Sequence, residues 1–100
     1  MLEIQQSDAF AKWLGALRDR EARIKILGRV ARLAQGNPGD VEPVGDGVSE
    51  MRIHFGPGYR VYFVRRGLYV AILLGGGSKR TQQRDIRAAK ALAALLEKDS

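Results

Sequence analysis

Arg52 and His54 stand two positions apart in the run EMRIHFGPGYRVYF, so on an extended strand both side chains leave the same face. Arg60 and Tyr62 follow across a Gly56-Pro57-Gly58 break, and Lys79 comes after the stretch Gly75-Gly76-Gly77-Ser78. Gathered in one place, these groups could cleave RNA without a metal. That reaction needs a group to deprotonate a 2′-hydroxyl, a group to protonate the leaving oxygen, and cations for the pentacovalent phosphorane. His54 suits the proton transfer, because histidine is the side chain that ordinarily changes charge near neutrality. Arg52, Arg60 and Lys79 suit charge stabilisation, with arginine able to grip phosphate through two parallel hydrogen bonds. Glu50, Tyr62, Tyr69, Arg80 and Gln82 are placed around them as substrate contacts. The same residues are also what the solvated side of a half-buried antiparallel sheet would carry, so residue types alone leave both readings open.

A three-stranded meander over Glu50–Leu74 is what must position this set. Met51, Ile53 and Phe55 alternate with Glu50, Arg52 and His54, and Tyr59, Val61 and Phe63 resume the alternation. A three-residue loop pairs Phe55 with Tyr59, placing His54 opposite Arg60 and Arg52 opposite Tyr62. A second turn at Arg66-Gly67 pairs Tyr62 with Ala71 and Arg60 with Leu73. In that register Met51, Ile53, Phe55, Tyr59, Val61, Phe63, Leu68, Val70, Ile72 and Leu74 share one buried face, leaving the opposite face open.

The flanking chain reads as helical. Leu2–Gln6 is a short N-terminal strand, and Ser7 or Asp8 caps a helix carrying Phe10, Trp13, Leu14 and Leu17 on one side. A second helix starts at Asp19, runs to about Gln35 and stops at Gly36-Asn37-Pro38-Gly39, with Lys25, Arg29 and Arg32 on its solvated side. DVEPVGDG is a loop with at most an edge fragment near Val41, given Pro43 and two glycines. The triple glycine ends the third strand as a flexible turn, and a last helix begins near Thr81 with Ile86, Ala89, Leu92, Ala93 and Leu96 inward. The expected fold is one α+β domain over residues 1–100. It has a small antiparallel-rich sheet, a helical hairpin on one face and a C-terminal helix.

One hundred residues suffice for one modest core. With no cysteine and a single histidine, thiolate metal sites are excluded and metal catalysis is disfavoured. The glycine stretch lacks the spacing of a phosphate-binding loop, and no cofactor is expected. No apolar run approaches the ~20 residues of a membrane span, the N-terminus lacks the regions of a signal peptide, and the chain reads as cytoplasmic. Net charge is +6, unevenly placed: residues 1–50 hold seven Lys/Arg against eight Asp/Glu, residues 51–100 ten against three. That asymmetry suits a polyanionic target or an acidic protein partner.

Three runs carry a family resemblance: FAKWLGALRDREARIKILGRVARL, GNPGDVEPVGDGVSEMRIHFGPGYRVYF and LLGGGSKRTQQRDIRAAKALA. In this order they resemble the addiction-module killer-protein (HigB-like) branch of the RelE/ParE toxin superfamily, over nearly the whole chain. The resemblance implies a RelE-like fold and a type II toxin neutralised by a cognate helix-turn-helix antitoxin, with operator DNA met only through that partner. It further implies a ribosome-dependent mRNA endoribonuclease that uses Arg52, His54, Arg60 and Lys79. The sequence departs from nuclease members in having no tyrosine or histidine near the C-terminus; its last tyrosine is Tyr69. The superfamily also holds ParE-type inhibitors of DNA gyrase, which need no nuclease residues, and a module that only binds antitoxin and co-represses its operon is a third possibility.

Overall fold

The computed structural model describes residues 1–98. The elements are β1 (Glu3–Gln6), α1 (Asp8–Ala16), α2 (Arg20–Ala34), β2 (Val41–Gly45), β3 (Val48–Ile53), β4 (Tyr59–Arg66), β5 (Val70–Ser78), a 3₁₀ turn (Lys79–Thr81) and α3 (Gln82–Lys98). Local chemistry sets the helix ends. Ser7 Oγ accepts from the Phe10 N–H at 3.1 Å, and Asp19 Oδ1 accepts from Glu21 and Ala22 at 3.0 and 3.2 Å, satisfying N–H groups that the first helical turn leaves open.

The class is α+β, but the sheet is larger than a meander plus one strand. It has five strands in the order β1-β5-β4-β3-β2, antiparallel except for β1, which runs parallel to β5. The segment expected as a loop is β2. Pro43 is tolerated there because β2 is an edge strand, and a register shift between Pro43 and Gly45 absorbs the irregularity.

Both hairpin registers differ from the expected ones. Between β3 and β4 the last pair is Ile53 with Tyr59, so Arg52 lies opposite Arg60, Glu50 opposite Tyr62, and His54 falls in the loop rather than opposite Arg60. Gly56 and Gly58, with φ of +57° and +76°, give that loop its wider path. Between β4 and β5, Arg66 pairs with Val70, so Gly67-Leu68-Tyr69 form the turn and Leu68 and Tyr69 are exposed. Tyr62 now faces Gly75 and Arg60 faces Gly77, across a bulge between Tyr62 and Phe63.

The second turn reverses part of β5, and both sheet faces become covered. Met51, Ile53, Val61, Phe63, Ala71 and Leu73 pack under Phe10, Ile26, Val30 and Leu33 of the helical hairpin. Val48, Tyr62 and Leu74, with Ile72 beside them, pack against Ala89 and Ala93 of α3. Ile72 and Leu74 therefore lie on the side opposite to the expected one. The face expected to be open is roofed in its middle by α3, and only its ends reach solvent.

The triple glycine is strand rather than turn, and two of its members are required by close neighbours. A Cβ on Gly76 would overlap the six-membered ring of Trp13, and one on Gly77 would overlap the Asp85 carboxylate and the Thr81 hydroxyl. α1 and the start of α3 thus approach opposite faces of the same strand at adjacent residues.

Candidate functional site

Asp40, Arg52, His54, Gly58, Arg60 and Lys79 lie at one end of the sheet, where β3 and β5 finish and β2 and β4 begin. Antiparallel pairing does this without local sequence logic. It sets Arg52 beside Arg60, and the end of β5 carries Lys79 out beside Gly58, whose missing Cβ would lie 3.3 Å from Arg60 Nη1 and 3.5 Å from Lys79 Cβ.

Beneath this end lies a buried polar hub. Glu50 is 1% exposed, and its Oε2 accepts from Tyr62 Oη at 3.1 Å and Gln82 Nε2 at 2.9 Å. Arg52 Nε donates to Oε1 at 3.2 Å, and Arg60 Nε is 3.6 Å from Oε2 while its Nη1 donates to the Gly58 carbonyl at 2.8 Å. A buried carboxylate is tolerable only with this many partners. Glu50 and Tyr62, expected as substrate contacts, therefore work inside the fold, with almost no exposed surface to offer a base or phosphate, while Gln82, also expected as a contact, is half-buried and turned to Glu50. Their part in the site is to fix Arg60.

Burial against the Glu50 carboxylate pushes the Tyr62 phenol well above its ordinary value of 10.0, desolvation being the larger cause. The folded state keeps this proton where the unfolded chain loses it, so the stabilisation is complete below pH 10.0 and declines as pH rises beyond that value. Urea denaturation from neutral pH to above pH 10.0 is expected to show this decline, and Tyr62→Phe to flatten it.

Arg52 is occupied by carboxylates. Besides Glu50 it pairs with Glu42, and Asp40 Oδ1 stands 4.0 Å away. The hydrogen bond to Glu50, then the charges of Glu42 and Asp40, raise its pKa. Its charge is thereby largely answered within the protein. His54 is exposed, and its Nε2 lies 2.6 Å from Asp40 Oδ2. That bond is the main reason the Asp40 carboxyl stays below its ordinary range, with Arg52 and Arg29 adding to it. The cations that face solvent here are Lys79 and Arg80, with Arg60 behind them.

Tyr69 does not join the site. It is exposed on the β4–β5 turn, at the opposite end of the sheet. An open cleft of about 660 Å³ at that far end, lined by Asp46, Arg65, Arg66, Lys90, Ala94 and Glu97 among others, is equally remote from His54.

Three residues of this region escaped the sequence reading: Asp40, Glu42 and Arg29. The first two stand in the segment read as loop. Arg29 stood in a stripe read as solvated, yet its Nη1 donates to the Arg52 carbonyl at 2.5 Å and its Nη2 to the Pro38 carbonyl at 2.7 Å. Its neighbour Lys25 lies 5.1 Å above the Phe55 ring. No sequence signal marks these contacts, because each joins segments whose neighbourhood depends on the sheet order. Among the described residues no three His, Cys, Asp or Glu side chains are grouped to hold a metal ion, and no helix is long and apolar enough to cross a membrane.

No family model matches the chain. An uncharacterized protein of Haemophilus influenzae is 45% identical to it over 92 residues, which cover 92% of this chain and 93% of that protein. At that identity and coverage, the chain belongs to the same family as the Haemophilus influenzae protein.

Proposed function

We propose that this protein is the toxin of a type II toxin–antitoxin system, a RelE/ParE-like chain of the HigB branch that cleaves mRNA on the ribosome without a metal. The observation that supports the reading is an exposed, Asp40-bound His54 at the sheet end that also carries Arg60, Lys79 and Arg80. An exposed imidazole at the same sheet end as a cationic rim supplies two of the things 2′-hydroxyl attack on an adjacent phosphate requires, the base and the charge stabilisation. His54 takes the 2′-hydroxyl proton, the 2′ oxygen bonds to phosphorus, and the bond from phosphorus to the 5′ oxygen breaks, that oxygen gaining its proton from water. Lys79, Arg80 and Arg60 balance the charge on the phosphorane. The excess of positive charge in residues 51–100 favours ribosomal RNA as the platform. A helix-turn-helix antitoxin with an acidic segment over this end would shut the site off in a cytoplasmic setting.

Induction of the chain is expected to arrest growth, with transcripts cut at ribosomal codons. Lys79→Ala combined with Arg80→Ala changes only exposed side chains, and should lower cleavage by about 10²-fold or more while leaving the melting temperature intact. Undiminished toxicity in that double variant would sink the site. A non-catalytic gyrase inhibitor is the second reading, favoured by the carboxylates that already occupy Arg52. It predicts DNA breaks and a damage response with intact transcripts.

A further inference from the structure

We propose that Asp40 is a positioning residue that holds the His54 imidazole by Nε2 and makes Nδ1 the nitrogen that accepts the 2′-hydroxyl proton; the inference rests on the nuclease reading above. The contact is 2.6 Å, at the short end for a charge-assisted N–H···O bond. The His54 side chain is 76% exposed, and among the described residues Asp40 is the one side chain that holds its ring. Without that carboxylate the imidazole would be free to rotate over the end of the sheet.

Asp40 is itself held in place by a built frame. The Arg52 N–H donates to the Asp40 carbonyl at 2.9 Å, extending the β2–β3 ladder by one bond. Arg29, reaching up from α2, ties the Arg52 carbonyl on one strand to the Pro38 carbonyl on the segment leading to Asp40. Gly39 lies between, with φ +79°, and a Cβ there would come 2.7 Å from Arg29 Nη2. The sequence Pro38-Gly39-Asp40 is therefore more than a helix stop. Its glycine lets a guanidinium pass under the chain, and the next residue is delivered to the histidine.

The charges around the pair keep Asp40 an acceptor. Facing it are His54 from the β3–β4 loop, Arg52 from β3 and Arg29 from α2, all favouring the carboxylate; Glu42 of β2 is turned to Arg52. With Nε2–H donated to this carboxylate, the neutral ring must carry its lone pair on Nδ1. Proton uptake at Nδ1 then creates an imidazolium whose other N–H already meets a negative charge. Atoms and charge balance as in the reaction above: Asp40 keeps its ionisation state throughout.

His54 is the single histidine of the chain, so its ring nitrogens can be read directly by ¹⁵N NMR. The expected neutral form in the parent is Nε2–H. Asp40→Asn, whose amide oxygen can still accept that proton, should keep the tautomer, and Asp40→Ala should relax it to the weaker Nε2–H preference of a free imidazole, with the Nδ1–H form appearing beside it. On ribosome-bound message, Asp40→Ala should lower kcat on the order of tenfold to a hundredfold with KM and melting temperature unchanged, and Asp40→Asn should fall between. A neutral ring protonated on Nδ1 in the parent, or an Asp40→Ala protein that cleaves with parental kcat, overturns the role. A parent showing the Nε2–H ring but no cleavage on ribosomes instead overturns the nuclease reading, leaving the contact as a structural one.

Discussion

Glu50→Ala is expected to destabilise the protein by about 3–5 kcal/mol, the usual result of removing one partner from a buried charged group. Four side chains converge on that carboxylate. Arg52 retains Glu42 and Asp40, but Tyr62 and Gln82 lose their acceptor, and Arg60 is left mostly buried with the Gly58 carbonyl alone. For a domain of this size each kcal/mol moves the melting temperature by about 4–8 °C, so the loss would be plain in a thermal melt. Glu50→Gln keeps the shape and an acceptor oxygen for Tyr62 but gives up the charge and sets an NH2 donor against Arg52 Nε, so it should fall between. An alanine variant that melts with the parent would show that the hub does not hold the fold. The proposed cleavage should also fall in both variants, because Arg60 would lose the carboxylate that aims it.

Gly77→Ala and Gly76→Ala form the second large pair. Overfilling a packed interior typically costs about 1–3 kcal/mol, and both are expected at or beyond the top of that range. The new methyl at position 77 would displace Asp85 and Thr81, whose hydrogen bond to one another shapes the start of α3. At position 76 it would strike Trp13, a rigid ring already set against Phe10 and Tyr59 with centroids 5.9 and 6.3 Å away. Gly75→Ala is the internal control. Nothing lies within 4 Å of its missing Cβ, so alanine should change stability by at most about 0.5–1 kcal/mol, in the stabilising direction. Equal losses at all three positions would mean that general strand flexibility, rather than those two contacts, requires glycine.

The elements set by neighbours in sequence were legible, and those set by sheet order were not. Ser7 and Asp19 cap their helices as their types suggest, because a cap is satisfied within three residues. The faces of Met51, Ile53, Val61 and Phe63 were also readable although the loop between their strands is longer than expected. The pairing moved by an even number, so each side chain kept its side. In the next hairpin the shift was odd, which turned Ala71 and Leu73 toward the helical hairpin and Ile72 and Leu74 toward α3. The bulge beside Tyr62 cancels this, which is why Gly77 again shares a side with Arg60. Covering the second face then changed what Glu50 and Tyr62 can do, and no periodicity could reveal that. The cationic half of the site was visible as Arg60 and Lys79. Its acidic half, Asp40 and Glu42, was not, because it arrives on an edge strand that proline and glycine had disguised.

The parallel pairing of β1 with β5 has a consequence for synthesis. β1 lies beside β5, Glu3 next to Val70, and β5 alone joins β1 to the β4-β3-β2 ladder. During translation β1 must therefore wait without its neighbour until β5 has been made. Such distant pairings close late and slowly. A chain released before Ser78 would lack the strand that unites the sheet, and with it the two cations that follow. An interrupted message would then yield a fragment with neither a closed sheet nor the cationic end that follows β5.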